Sequence, residues 1–306
     1  MNHFKRREFL RIGSGLLAGL AIAPVACGNA VNDNKTAQTD TTDNKTMAAT
    51  AALAAFGIQL YTLRDLMPKD PKGVLKQLSS FGYKQIEGYE GQQGLFWGMS
   101  NTDFKKYMDD LGMSFVSSHC NIDKDFEKKA NEAAAIGMKY LMCPWKGPQK
   151  SIDDFKRFAD DFNKKGEICK KAGLRFAYHN HDYSFKAIDG QIPQEVMMAN
   201  TDPSLVDFEM DIYWVVAAGA DPEAWFKKYP NRFRACHVKD RSKTPVTDNG
   251  KNSVDLGTGN IDFAKILKTA KDNGMQYYIV EQEAYPNGSS IEAAKVDAEY
   301  MKTLKF

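Results

Sequence analysis

The sequence predicts an α/β fold in which eight strand–helix units close into a (β/α)8 TIM barrel. After residue 55, short β-rich runs alternate eight times with amphipathic stretches, and such crossovers produce parallel strands covered by helices. The 306 residues leave room for a barrel of about 250 residues. An open doubly wound sheet is the alternative. It needs a Gly-rich phosphate turn after its first strand, and the sequence QLYTLR at 59–64 contains no glycine.

Hydrophobic periodicity and helix-capping residues place the individual elements. Ser151 and Asp262 are plausible helix N-caps, and Gly173 follows a helix where a left-handed residue is favoured. The predicted strands are 56–61, 84–88, 114–120, 140–144, 174–180, 206–211, 234–239 and 277–282. The predicted helices are 71–81, 102–111, 126–136, 152–172, 194–199, 222–229, 262–273 and 291–304.

Composition and charge narrow the class of protein. A hydrophobic content of 43% indicates a globular protein with a sizeable core. The 41 basic and 39 acidic residues leave a net charge of +2, and no basic stripe with interleaved aromatic residues is present. We therefore expect no nucleic-acid partner. Four of the five cysteines follow the first thirty residues at no metal-ligand spacing, so we expect them to be small buried side chains.

The first residues predict export. The sequence KRREFLR at 5–11 resembles a twin-arginine motif, an apolar run fills 12–26, and PVACG at 24–28 resembles a lipobox around Cys27. The predicted organisation is a signal peptide with a lipobox at 1–27, a flexible polar tether at 28–55 and a TIM-barrel catalytic domain at 56–306. We expect a periplasmic or cell-envelope protein that touches the membrane only through a lipid on Cys27. A short uncleaved anchor helix is the alternative.

Histidines concentrate where a barrel has its active site, at the carboxyl ends of its strands. Four of the five histidines, His119, His179, His181 and His237, fall at or near the ends of the third, fifth and seventh predicted strands. His179 and His181 share one strand face because side chains alternate. This pattern indicates a metal or proton-transfer site, although hydrogen-bonded core histidines are the structural alternative.

Polar pairs spaced by two continue this pattern on the later strands. Each pair shares one strand face, and the pairs are Glu209 with Asp211, His237 with Lys239, and Glu281 with Glu283. Burying such an arc without partners is costly, and a divalent cation would offset the cost. Histidine and carboxylate ligands favour one zinc, manganese, cobalt or iron ion over calcium.

Other residues carry weaker signals. Lys239 could form an ion pair with a neighbouring carboxylate or reach a substrate oxygen. Trp145 could form the floor of a sugar site or simply pack against its loop. Gln59 and Glu87 end early strands, and each could either contact a substrate or simply pack within the fold.

Short motifs on successive strands resemble the sugar phosphate isomerase/epimerase family, which has a xylose isomerase-like TIM barrel. The resemblance covers residues 56–306. Its motifs are GIQLYTLR at 57–64, YHNH at 178–181, MD at 210–211, HVKD at 237–240, DLGTGNID at 255–262 and VE at 280–281. It implies Asp211, His237 and Glu281 as metal ligands. His179 occupies the position where many members carry a glutamate ligand, and it completes the predicted set.

The resemblance and the chemistry of such a site predict proton abstraction next to the carbonyl of a keto sugar. Glu281 is the expected base, His179 or His181 the acid or base on the opposite face, and Lys239 a support for developing charge. Expected substrate-binding residues are His119, Glu209, Glu283, Trp145 and Gln59. Isomerisation or epimerisation is the first prediction, and cleavage or hydration of a 3-keto-glycoside is the alternative. A non-catalytic sugar-binding lipoprotein is a further alternative, whereas an endonuclease with three zinc ions needs more histidines.

Overall fold

Eight parallel strands form a closed barrel in this computed structural model, which describes residues 53–246 and 250–306. The barrel strands are β1 Gly57–Gln59, β2 Gln85–Tyr89, β3 Ser114–His119, β4 Tyr140–Cys143, β5 Arg175–His179, β6 Val206–Asp211, β7 Phe233–Val238 and β10 Tyr277–Val280. Strand β1 pairs with β2 on one side and with β10 on the other, which closes the barrel. This confirms the predicted TIM barrel. The predicted signal peptide at 1–27 and residues 28–52 of the predicted tether lie outside the described residues.

Helices follow most of the strands and cover the outside of the barrel. Within the described residues they are α1 Pro71–Phe81, α2 Asn101–Asp110, α3 Phe126–Ala135, α4 Ile152–Ala172, α5 Pro193–Ala199, α6 Ile212–Ala217, α7 Pro222–Lys228, α8 Phe263–Asp272 and α9 Ser290–Thr303. Helix α4 shows why the sequence folds in this way. Its first turn is acidic, its last turn is basic, and Gly173 ends it with a φ of 92°. Phe155 and Phe162 are fully buried on its inner face and contribute about 1.5–3 kcal/mol each.

Several elements differ from the sequence prediction. Helix α6 was not predicted, because its run IYWVVA continues the apolar pattern of β6 without a break. Asp211 starts this helix by accepting a hydrogen bond from the backbone N–H of Trp214. The first strand ends at Gln59, two residues earlier than predicted, and continues as a 3-10 helix at Leu60–Leu63. A small antiparallel pair, β8 Asp240–Arg241 and β9 Ser253–Val254, was also not predicted.

The barrel interior changes from apolar to polar along its axis. A small cluster of Tyr140, Met142, Ala177 and Ala235 fills the interior between β4, β5 and β7. Towards the carboxyl ends of the strands, the inward positions carry histidine and carboxylate side chains, and the register places His179 beside Glu209 and Asp211 beside His237. The fold therefore collects the chemically active residues at one end.

The larger hydrophobic core lies between the strands and the helices. Four cysteines, Cys120, Cys143, Cys169 and Cys236, are buried and unbridged, as predicted. Among the described residues, none of the helices combines the length and the apolar character that a membrane span requires.

Candidate metal centre

Four ligand atoms converge at the carboxyl ends of β5, β6, β7 and β10. They belong to His179, Asp211, His237 and Glu281, all four residues are buried, and each atom lies within 4.8 Å of the others. His237 Nδ1 is 3.2 Å from His179 Nε2 and 3.1 Å from Glu281 Oε2. Asp211 Oδ2 is 3.6 Å from each of these two imidazole nitrogens. The structure therefore brings together the four predicted ligands.

Hydrogen bonds on the far sides of the two imidazoles turn their lone pairs towards each other. His237 Nε2 lies 2.7 Å from Glu87 Oε1 and donates to it, which leaves Nδ1 as an acceptor in the neutral ring. His179 Nδ1 lies 3.3 Å from the Pro144 carbonyl oxygen and donates to it, which leaves Nε2 as an acceptor. Two acceptor nitrogens only 3.2 Å apart repel unless a cation or a proton lies between them. Two nitrogens and two carboxylate oxygens suit a divalent transition metal or zinc.

Glu87 is held in position by three donors. Besides His237, Gln59 Nε2 donates to Glu87 at 2.8 Å and Ser117 Oγ donates at 2.6 Å. Burial alone would raise the pKa of Glu87, but His119, His237 and Ser117 lower it to about 2. Glu87 is thus a carboxylate that fixes the tautomer of His237. This role of Glu87 was not predicted, because the contact joins β2 to β7, which are not neighbouring strands in the barrel.

Lys239 supplies a buried positive charge behind two of the candidate ligands. Its side chain is fully buried, and Nζ lies 3.5 Å from Asp211 Oδ2 and 3.3 Å from Glu281 Oε2. It also forms an ion pair with Glu283. Burial would lower the pKa of Lys239, but the three carboxylates raise it well above its ordinary value. Lys239 does not line the pocket, so direct contact between this side chain and a substrate stays a prediction.

The charges within the cluster are strongly coupled. Burial would raise the pKa of Asp211 and of Glu281, but Lys239 and His237 hold both well below their usual range. Burial would lower the pKa of His237, and Glu209 and Glu281 raise it well above its usual range instead. A proton on His237 therefore competes with a metal ion for the same site.

A second cluster of buried side chains lies beside the four candidate ligands and shares His237 with them. It consists of Glu87, His119, Glu209 and His237. His119 Nε2 is 2.8 Å from Glu209 Oε2 and 3.3 Å from Glu87 Oε1. Burial, followed by the charge of Glu87, raises the pKa of Glu209 well above its usual value. Gln59 and Glu209 are fully buried and lie outside the pocket lining, so their predicted role in binding substrate stays a prediction.

A pocket of about 650 Å³ opens above this cluster. His119, His179, His181, Glu281 and Glu283 contribute to its wall. His181 Nδ1 is buried without a hydrogen-bond partner, and its ring lies 4.9 Å from that of His179. Aromatic side chains at the pocket are Tyr61, Tyr89 and Trp145. The structure thus brings five of the predicted catalytic and substrate-binding histidines and glutamates together with Trp145 around one cavity.

Comparison with known protein families matches this fold. The family model described as xylose isomerase-like TIM barrel covers residues 75–304. An inosose dehydratase of Clostridium perfringens is 30% identical over 147 residues, which are 44% of this chain and 49% of the relative. The chain thus spans about half the length of that relative. An inosose dehydratase of Mesomycoplasma hyopneumoniae is 25% identical over 277 residues, or 84% of this chain and 87% of the relative.

Solved structures also resemble this chain in fold. A sugar phosphate isomerase/epimerase from Parabacteroides distasonis is 30% identical, with a TM-score of 0.69, and the match covers 84% of this chain and 96% of that chain. The structure of the IolI protein with a bound zinc atom is 15% identical, with a TM-score of 0.64 over 80% of this chain and 95% of that chain. At 15% identity this likeness shows the fold alone.

Proposed function

Because the chain belongs to the xylose isomerase-like TIM barrel family, we propose that it is a metal-dependent enzyme that removes a proton next to the carbonyl of a keto sugar. The observation that carries this proposal is the pair of facing imidazole nitrogens, His179 Nε2 and His237 Nδ1, 3.2 Å apart between two carboxylates. The inosose dehydratases and the sugar phosphate isomerase/epimerase among its relatives support the class of substrate.

His179, Asp211, His237 and Glu281 would hold one divalent metal ion. When bound, such an ion would stabilise the negative charge that develops on the carbonyl oxygen as the neighbouring carbon loses its proton. The two imidazole nitrogens and two carboxylate oxygens support this proposal, and their chemistry admits zinc, manganese, cobalt or iron equally.

The residues in the pocket wall would move the proton. Glu281 is deprotonated, because Lys239 and His237 hold its pKa well below its usual range against the effect of burial. It lines the pocket, so it can accept a proton from the substrate carbon. Both nitrogens of His179 are engaged, whereas His181 lines the pocket and is not one of the four candidate ligands. His181 is therefore the better candidate for the acid or base on the other face.

Two products follow from the same first step. If the carbanion takes a proton back, the sugar is isomerised or epimerised. If a hydroxyl or glycosidic oxygen lies β to the carbonyl, that group leaves instead, and the reaction is a dehydration or a 3-keto-glycoside cleavage. The dehydratases among the relatives favour this second outcome.

The test is incubation of metal-loaded protein in deuterated water with free ketoses, inososes and 3-keto-glycosides, followed by NMR. Deuterium at the α-carbon of a rearranged ketose supports isomerisation. Loss of water or release of the aglycone supports elimination. Absence of exchange and of product with every substrate, combined with sugar binding that a chelator does not change, would favour the non-catalytic binding protein.

We also propose that the protein is exported and anchored by a lipid on Cys27. This proposal rests on the KRREFLR and PVACG sequences at 5–11 and 24–28.

A further inference from the structure

Trp145 is a large aromatic side chain that is half exposed at the pocket. It follows β4, and 52% of its surface is exposed. Perpendicular contacts with His181, 4.4 Å between ring centroids, and with Tyr183, 4.9 Å, support it. Tyr61, which also lines the pocket, is 41% exposed. Aromatic rings that are held in place yet half exposed beside a polar cavity are typical of ligand-binding surfaces.

The pocket extends well beyond the metal centre. The reacting carbon of the proposed substrate must lie against Glu281 and the centre near His179. Trp145 is not one of the four candidate ligands, and its ring packs against His181, which in turn packs against His179. One sugar ring at the metal centre therefore leaves the outer part of the 650 Å³ cavity for another group.

The charges of the pocket do not suit a phosphorylated substrate. Among the described residues that line it, Lys124 is the one lysine or arginine, whereas Glu90, Glu281 and Glu283 are acidic. Arg64 lies beside Tyr61, but its guanidinium already donates to the Tyr285 hydroxyl and to the Glu283 carbonyl oxygen, each at 2.7 Å. Phosphate recognition in proteins normally uses paired arginines, lysines or helix N-termini.

We propose that the substrate is an uncharged molecule of two rings, with its keto sugar ring at the metal centre and its second ring against Trp145. The position of the first ring rests on the proposed function. The second ring needs one flat apolar face, which the C–H face of another sugar and an aromatic group both provide.

Calorimetric titration of the metal-loaded protein with unreactive probes tests this proposal. The probes are the methyl and phenyl glycosides of glucose and galactose, cellobiose, lactose, and glucose 6-phosphate. We expect at least one two-ring probe to bind on the order of tenfold more tightly than its methyl glycoside. Glucose 6-phosphate should bind no better than methyl glucoside. Phenyl glycosides against disaccharides show which source provides the second ring.

Two variants distinguish a binding role of Trp145 from a general loss of folding. Trp145→Ala should abolish the advantage of the two-ring probes, and Trp145→Phe should keep most of it. Circular dichroism and the melting temperature check that both variants fold. The proposal is wrong if one-ring and two-ring probes bind equally, if no probe binds, if Trp145→Ala leaves the preference unchanged, or if glucose 6-phosphate binds most tightly.

The proposed function can fail independently of this proposal. These titrations need no turnover, whereas deuterium exchange measures the chemical step. A two-ring preference without any exchange would keep the subsite and reject the reaction. Exchange with free ketoses at full rate, without any two-ring preference, would reject only the subsite.

Discussion

Nε2 of His237 lies 2.7 Å from Oε1 of Glu87, and this one hydrogen bond determines which nitrogen of His237 faces the centre. The imidazole donates through Nε2, so Nδ1 presents its lone pair towards His179. Carboxylate–histidine pairs of this kind orient metal ligands and make them more basic. Glu87 is therefore a positioning residue for the proposed metal ion.

Glu87→Leu should weaken metal binding by about 10- to 100-fold, because the tautomer of His237 is no longer fixed. Glu87→Gln keeps an acceptor oxygen, so its loss should be smaller. Competition with a chromogenic chelator measures the affinity, and nitrogen-15 NMR of His237 reports the tautomer. Glu90→Gln is the matched control, since Glu90 lies at the pocket and accepts from Lys129. Unchanged affinity in Glu87→Leu would show that this hydrogen bond does not hold the centre.

Much of this centre could be predicted from the sequence, because parallel strands carry their carboxyl ends to the same side of a barrel. Alternation placed these residues in pairs that share one strand face, the family resemblance implied His179, Asp211, His237 and Glu281 as the ligands, and the structure shows that they meet. Glu87 could not be predicted in this way. Its contact with His237 depends on packing across the interior, and no local pattern encodes that distance.

Lys239 shows a second limit of sequence reasoning. The spacing from His237 placed its side chain on the correct face. Its complete burial behind Asp211 and Glu281 depends on the rings of Tyr213 and Trp214, which lie 4.9 and 5.0 Å from Nζ. Those rings belong to helix α6, whose existence the uninterrupted apolar run concealed.

Lys239→Met should destabilise the metal-free protein by about 3–5 kcal/mol, because it leaves buried carboxylates without their partner. A bound divalent ion would offset part of this loss. The rise in melting temperature on metal addition should therefore be larger in Lys239→Met than in the wild type. Lys268→Met is the control, since Lys268 pairs with Asp272 on an exposed surface and should cost less than about 1 kcal/mol. An equal metal-induced rise in the variant and the wild type would contradict this role.

Asp297 should make stability fall as pH rises. It is fully buried in helix α9, its Oδ1 accepts from the Leu256 N–H, and its Oδ2 has no partner. Burial, reinforced by Asp255, raises its pKa well above the usual value. The folded protein thus keeps a proton that the unfolded chain releases above about pH 4. This contribution to stability is present below that pH and is lost as pH rises towards the folded pKa.

Asp297→Asn should remove this dependence, because the amide does not titrate. Urea unfolding midpoints at pH 5 and pH 8 provide the measurement. The wild type should lose more stability than Asp297→Asn between these two values. Asp272→Asn, on an exposed helix surface, is the control and should follow the wild type. The interpretation is wrong if Asp297→Asn and the wild type lose the same amount.

Replacement of both arginines in the proposed twin-arginine motif, Arg6 and Arg7, should block export. In cells that make Arg6→Lys/Arg7→Lys, the protein should remain uncleaved in the cytoplasmic fraction. Cys27→Ala should still be exported but should not incorporate labelled fatty acid. Fractionation and metabolic labelling measure the two effects. Correct export of the double variant would contradict the twin-arginine interpretation, and labelling of Cys27→Ala would contradict lipidation at this cysteine.

The dependence of the reaction on one bound metal is tested by the rate of α-proton exchange from a keto sugar in deuterated water, measured as metal-free protein receives increasing amounts of a divalent ion. The rate should rise in proportion to added metal and level off at one equivalent per chain. Glu283→Gln should level off at the same point, because Glu283 pairs with Lys239 outside the four-ligand set. Asp211→Asn should show little exchange at any amount. Full exchange in the chelator-treated wild type, or a plateau unrelated to one equivalent, would contradict dependence on a single metal ion.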